Sequence, residues 1–256
     1  MSEGSETSKP AEPVERCRTI FISDLHLGTR AFCPEPLLDF LSKHEANTIY
    51  LVGDIVDTWY PMGRRWKVND HAVIQKLLEK SRNGCQLIMI PGNHDALFRL
   101  FDGADIGQIE IRQEDEYQTA DGNRYLITHG DQCDTFCDRM PFLAALGTLS
   151  EGIALALDDL QKGLLARFGR SKWGGIDWAI QKVKDMTRKH DRFELRLVAL
   201  AADRKLDGII CGHFHLPDLR PVDGRTYANC GDWVGSNTAI IEQMDGSLKL
   251  WTATAH

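Results

Sequence analysis

The chain has no surplus of positive charge: 30 Lys and Arg residues face 37 Asp and Glu, a formal net charge of -7. A sequence-independent nucleic-acid binder gains most of its affinity by neutralising phosphates, so no nucleic-acid partner is expected. Long apolar runs are also missing. The longest, Pro141 to Leu157, is broken by Glu151 and two glycines and falls short of the roughly 20 residues a membrane span needs. Residues 1–16 are polar, rich in Ser, Glu and Pro, and offer a translocon no apolar core. They read as a disordered tail. Cysteine is sparse and odd in number, at positions 17, 33, 85, 133, 137, 211 and 230. Several sit in apolar runs such as Gly208-Ile-Ile-Cys211, where a thiol acts as a small hydrophobe. That usage fits reduced thiols in a cytoplasmic protein. Cys133 and Cys137 have no second pair with which to complete a zinc site. There are no internal repeats.

What is present is a chain of 256 residues, 43% hydrophobic and 26% charged, enough for one large domain with an insertion. Arg18–Ser23, Thr48–Val52 and Gln86–Ile90 read as buried strands, and Pro36–Lys43 and Val68–Arg82 as the helices between them. Strand, helix, strand, helix, strand is the pattern of parallel α/β units. Ile109–Thr119 and Asn123–Thr128 read as a hairpin about Asp121-Gly122. From about 132 to 204 strand signals vanish, and two or three helices are expected, broken between Gly169 and Gly175. Strands resume at Asp207–Cys211, and short strands with turns at Asp223-Gly224 and Asp245-Gly246 complete the chain. The expectation is a single domain over residues 17–256, built from two sheets and carrying a helical insertion.

Five clusters of metal-capable side chains each follow one of these strands directly: Asp24-Leu-His26, Gly53-Asp54, Gly92-Asn93-His94-Asp95, His129-Gly-Asp131 and Gly212-His213-Phe-His215. Functional groups of α/β sheets gather where strand ends converge. Singly, each cluster has an ordinary reading. Asp-x-His pairs are common on exposed loops, Asn-His-Asp makes a turn, and a lone histidine is often a satisfied core residue. Five in order, each at a strand end, outweigh those readings. Seven of the side chains can build two coordination shells that share one carboxylate. Imidazole nitrogens mixed with carboxylate and amide oxygens suit divalent manganese, iron or zinc.

The series DLHLG, GDIVD, GNHD, HGD and GHFH resembles that of the calcineurin-like metallophosphoesterases, over residues 18 to about 235. The resemblance implies a four-layer α/β/β/α sandwich and an enzyme that hydrolyses phosphoesters with two divalent ions, manganese first among them. It implies that Asp24, His26, Asp54 and His215 hold one ion. Asp54, Asn93, His129 and His213 would hold the other, with Asp54 bridging. His94 would face the substrate and Asp95 would orient its ring, while Asp131 would fix a liganding histidine or a loop. Two such ions lower the pKa of a shared water and neutralise charge on the phosphoryl oxygens.

The insertion, Trp59 after GDIVD and the closing Gly231-Asp232-Trp233 are similar to the UDP-2,3-diacylglucosamine hydrolases of lipid A synthesis. In that branch the insertion forms a lid over acyl chains. Here Phe142, Leu143, Leu146, Leu149, Ile153, Leu157, Leu160, Leu164 and Phe168 would line it, although the same stripe serves equally well as a helix-packing face. Basic residues nearby include Arg64, Lys182 and Lys184, which would meet a pyrophosphate or an anionic membrane surface. The expected partner is therefore a phosphoester, lipid-linked in this reading, met in the cytoplasm at the inner face of the membrane. Those lipid A hydrolases carry Arg where this chain has His94, which points to a sister group with a different glycolipid or nucleotide substrate. A phosphodiesterase of soluble nucleotides, with the same seven ligands and no need of an apolar lid, is the alternative. A binding scaffold with a dead metal site is the weaker alternative, since no ligand is missing.

Overall fold

The computed structural model describes residues 14–59, 66, 68–133 and 193–253. The chain divides into two compact units, residues 1–131 with 198–256, and residues 132–197. Only Gln132, Cys133 and residues 193–197 of the second are described, so the expected helices and apolar stripe over 134–192 lie outside the described residues, as do Arg64, Lys182 and Lys184.

Strand β1 is Glu15–Ile22 and helix α1 is Pro34–Lys43. Then come β2 (His44–Val52), α2 (Val68–Arg82) and β3 (Gln86–Ile90). A short 3-10 helix, Ala96–Phe101, precedes β4 (Asp105–Ile106), β5 (Ile109–Ile111), β6 (Asp115–Gln118) and β7 (Arg124–Ile127). Helix α3 is Phe193–Asp203. Strands β8 (Gly208–Cys211), β9 (Asp218–Val222), β10 (Arg225–Asn229), β11 (Thr238–Glu242) and β12 (Leu248–Thr252) follow.

A seven-stranded sheet runs β12-β11-β1-β2-β3-β5-β4, and a five-stranded sheet runs β6-β7-β8-β10-β9. In the first, β1, β2, β3 and β5 are parallel. In the second, β7, β8 and β10 are parallel. The side-chain period of two sorts each central strand between two cores. Ile20, Ile22, Ile49, Leu51, Leu87 and Met89 pack with Leu37, Phe40, Leu41, Val73 and Leu77 of the two helices. Their neighbours Phe21, Tyr50, Val52, Ile88 and Ile90 pack with Tyr125, Ile127, Ile210 and Ala228 of the other sheet. Leu126 and Ile209 alternate with these and are also fully buried. Both faces of each sheet are thus covered, which is why the strands read as continuous apolar runs, and the whole is a four-layer α/β/β/α sandwich.

Three expectations need correction. Ile109–Thr119 is not one strand. β5 pairs in parallel with β3 in the first sheet, while β6 pairs with β7 in the second. Arg112 marks the crossing between sheets: its amide donates to Met89 O at 2.9 Å, and its guanidinium pairs with Glu110 at 2.7 Å and with Asp115. The hairpin about Asp121-Gly122 is therefore only its second half, with Gly122 at φ +94°. Helix α1 starts at Pro34 and not Pro36. A proline in the first turn loses an amide that has no helical partner there anyway. β1 starts at Glu15, inside the stretch expected as tail, because Glu15 pairs with His44 across β2. The polar, half-exposed starts of both strands carry no apolar signal.

Candidate metal centre

Parallel strands end on the same edge, and the five clusters are the five chain segments leaving β1, β2, β3, β7 and β8. The first two are zipped together. Asp24 N donates to Gly53 O (3.0 Å), His26 N to Asp54 O (2.9 Å) and Leu27 N to Ile55 O (2.9 Å). Within the second sheet Gly212 N donates to His129 O (3.1 Å), and the two sheets are joined across the edge by Trp233 N to Asp24 O (3.2 Å). To turn side chains inward from such short segments the backbone goes left-handed: Asp24, His26, Asp54, His213 and His215 have φ between +49° and +74°. Such conformations persist only where the surroundings over-determine them, and they cluster at functional sites.

Each carboxylate has one oxygen pinned by protein and one aimed inward. Asp24 Oδ2 accepts from the Ser23 hydroxyl and from the His213 amide (3.0 Å). Its Oδ1 lies 3.2 Å from His215 Nε2. Asp54 Oδ1 accepts from the His94 amide (2.8 Å), while Oδ2 lies 3.4 Å from His129 Nε2 and 4.0 Å from His26 Nε2. His129 Nδ1 donates to Val52 O (3.1 Å), so its Nε2 is the atom left for a cation. His26 and His215 bring their Nε2 atoms to within 3.3 Å of each other. Donor atoms of Asp24, His26 and His215 form one compact group, those of Asp54, His129 and His213 another, and those of His26, Asp54 and His94 a third between them.

The donor set fits divalent ions. Asp24 Oδ1, Asn93 Oδ1 and His129 Nε2 are buried polar atoms with no hydrogen-bond partner, an arrangement that costs free energy unless something else satisfies them. The electrostatics agree. Burial pushes the His129 imidazolium down, yet the Asp54 carboxylate, helped by Asp24 and Asp131, raises its pKa to about 10. Burial works on Asp24 in the opposite direction but is outweighed by His215 and His129, and its pKa falls to about 2. Asp54 is likewise held well below the usual carboxylate range, against burial, by His129, His26 and His94. The cavity is an anionic well that favours positive charge.

His94 stands at the rim, its Nε2 4.0 Å from Asp54 Oδ2. The carboxylate that orients its ring is Asp57, not Asp95. Asp57 Oδ2 lies 3.0 Å from His94 Nδ1 and 3.6 Å from His26 Nδ1, so one carboxylate sits behind both rings. The exposed Trp59 stacks on His94 at 3.9 Å and donates from Nε1 to Asn93 O (3.1 Å). Asp95 is fully buried and faces backbone: it accepts from Gly92 N (2.6 Å) and Ile55 N (2.7 Å), tying the β2 and β3 loops together. Burial beside the Asp54 charge raises its pKa. Sequence reasoning missed Asp57, although it is the last letter of GDIVD. It also missed Asp232, whose Oδ2 lies 3.6 Å from His215 Nδ1. Asp131, expected to fix a histidine or a loop, pairs with Arg99.

Gly92 is one of the positions, with Gly53 and Gly212, where this centre tolerates no side chain. A Cβ at Gly92 would collide with Asp54 Oδ1 and stand 2.7 Å from His129 Cδ2. Gly92→Ala is expected to displace the Asp54 carboxylate and lower turnover on the order of 10²-fold, the effect of a small misplacement. Far-ultraviolet circular dichroism should stay as in the wild type. Wild-type turnover in the alanine variant would mean that Asp54 does not occupy the position described.

Residues 17–217 match the family model of the calcineurin-like phosphoesterases. A UDP-2,3-diacylglucosamine hydrolase of Actinobacillus succinogenes is 33% identical over 119 residues, 44% of this chain and 49% of that protein, so this alignment spans about half of the relative. One of Porphyromonas gingivalis is 25% identical over 272 residues, covering 90% of this chain and 98% of the relative. Among solved structures, a phosphoesterase from E. coli overlays with a TM-score of 0.44 at 12% identity, over 92% of this chain and 99% of that one. With the family model covering most of its length and its sandwich presenting the metal-ligand clusters, this chain belongs to the calcineurin-like phosphoesterases, a family of metal-dependent hydrolases.

Proposed function

We propose that the chain hydrolyses the pyrophosphate bond of UDP-2,3-diacylglucosamine or of a related glycolipid or nucleotide, in the cytoplasm at the inner face of the membrane. The observation that carries this reading is the near full-length likeness to a hydrolase of that name. Among the described residues no helix is long and apolar enough to cross a membrane, which is compatible with a peripheral enzyme. Asp24, His26, Asp54 and His215 would hold one divalent ion, and Asp54, Asn93, His129 and His213 the other, manganese being the ion to supply first. Such ions supply an activated water near neutral pH and neutralise charge on the phosphoryl oxygens.

The remaining work falls to the protein. Asp57 fixes the His94 ring from its Nδ1 side, which leaves Nε2 to donate a proton to the departing oxygen or a hydrogen bond to the phosphoryl group. Asp95 keeps the two loops in register. Arg64, Lys182 and Lys184 would grip the pyrophosphate, and the apolar stripe between 142 and 168 would take the acyl chains.

Rates on UDP-2,3-diacylglucosamine and UDP-N-acetylglucosamine, with manganese and detergent constant, test the assignment. Each buried methylene is worth about 0.8 kcal/mol, so a few buried carbons favour the lipid form by about a hundredfold or more in kcat/KM. Equal rates on both, with bis-nitrophenyl phosphate still turned over, would transfer the assignment to a phosphodiesterase of soluble nucleotides. The specific feature favouring that rival is His94, at the position where lipid A hydrolases carry Arg.

A further inference from the structure

Arg99 lies on the short helix Ala96–Phe101 that leaves the Asn93-His94-Asp95 loop. It is the one charged side chain of Ala-Leu-Phe-Arg-Leu-Phe, and three of its neighbours, Leu97, Leu100 and Phe101, are exposed. Its guanidinium reaches back across the edge of the sandwich. Nε and Nη2 donate to Pro91 O at 3.4 and 3.2 Å, and Nη2 also meets both oxygens of Asp131 at 2.8 Å. Pro91 leads into Gly92 and Asn93 after β3 of the first sheet. Asp131 stands just past His129 after β7 of the second. Arg99 therefore clips together two loops that come from different sheets and whose ligands, Asn93 and His129, are assigned to the same ion.

We propose that Arg99 is a positioning residue for that second ion: by bridging Pro91 O and the Asp131 carboxylate it sets Asn93 Oδ1 and His129 Nε2 at ligating separation. The inference rests on the two-ion assignment above. A planar fork of donors can serve a carbonyl and a carboxylate together, whereas a lysine ammonium is a point charge on a flexible stem and holds such a pair less well. Neither group approaches the first ion's ligands Asp24, His26 and His215 through any of these bonds, so the effect belongs to one ion.

The test is a manganese titration of the metal-stripped full chain, followed by calorimetry and by the electron paramagnetic resonance signal of the coupled ion pair. In Arg99→Met the second ion should bind about 10–100-fold more weakly, the usual loss when an outer partner of a ligand is removed. The first ion's affinity should be unchanged, and the coupled signal should appear only at higher manganese. Arg99→Lys should recover part of the loss, and Asp131→Asn should reproduce it. If Arg99→Met does not fold, Asp131→Asn carries the same prediction, with Arg99→Lys showing a smaller loss. Unchanged affinity for both ions, or equal weakening of both, would overturn the role of Arg99. A wild-type protein that takes up a single ion would instead overturn the two-ion assignment, and the role with it.

Discussion

Asp54→Ala is expected to remove phosphoester hydrolysis and to reduce metal content from two ions per chain towards one or none. Asp54 Oδ2 lies 3.4 Å from His129 Nε2 and 4.0 Å from the Nε2 atoms of both His26 and His94, so it stands between the two ligand groups. No other carboxylate of the compact donor groups belongs to more than one of them. Loss of a metal's charge stabilisation costs several kcal/mol of barrier, which is a fall in turnover of about 10³-fold or more. The second oxygen adds to this, since removing it also frees the His94 amide. Elemental analysis of purified variant protein reads the metal content, and bis-nitrophenyl phosphate reads the turnover. Two ions per chain with near-normal turnover would show that Asp54 does not bridge.

His94→Ala should behave differently: both ions stay and the rate falls by about 10²–10⁴-fold, the contribution of a positioned acid–base group. The distinction is a real test, because the donor atoms of His94, His26 and Asp54 lie close enough together to hold an ion themselves. What favours a substrate role for His94 over a ligand role is its rim position and its support. Asp57 holds Nδ1 from behind and Trp59 covers one face of the ring. Asp57→Asn would be a less clean experiment, since the same carboxylate lies behind His26. Metal analysis of His94→Ala alongside single-turnover rates separates the two roles. Loss of one ion would make His94 a ligand and require another group to protonate the leaving oxygen.

The metal-capable clusters were legible because each sits on a short segment at the end of a strand that is apolar on both faces. The strand announces itself by composition, and the polar cluster interrupts it abruptly. Direction was not legible. His94 and Asp95 are adjacent in sequence, yet one faces the centre and the other faces the backbone of the β2 loop. The ring partner came instead from Asp57, nearly forty positions away. The crossing at Arg112 escaped for a related reason. Ile109 to Thr119 alternates like a single strand, and a chain that passes from one sheet to its neighbour buries residues on both sides of the crossing. Arg99 gave no signal at all, since an arginine within an apolar hexapeptide reads as the polar side of a helix.

The left-handed backbone at Asp24, His26, Asp54, His213 and His215 has a consequence for how this chain can drift under mutation. Among residues with a side chain, that conformation is tolerated best by Asn, Asp and His, and at a cost on the order of 1–3 kcal/mol at each position. Glycine would relax every one of these positions and supply no donor atom. Glu or Cys would supply a donor but meet the strain without the short, locally bonding side chain that eases it. Coordination chemistry and backbone conformation therefore select the same two or three residue types independently. A stabilising substitution at these positions empties the centre, while a ligand of another kind loosens the fold. Gains in stability for this protein must come from elsewhere in the sandwich.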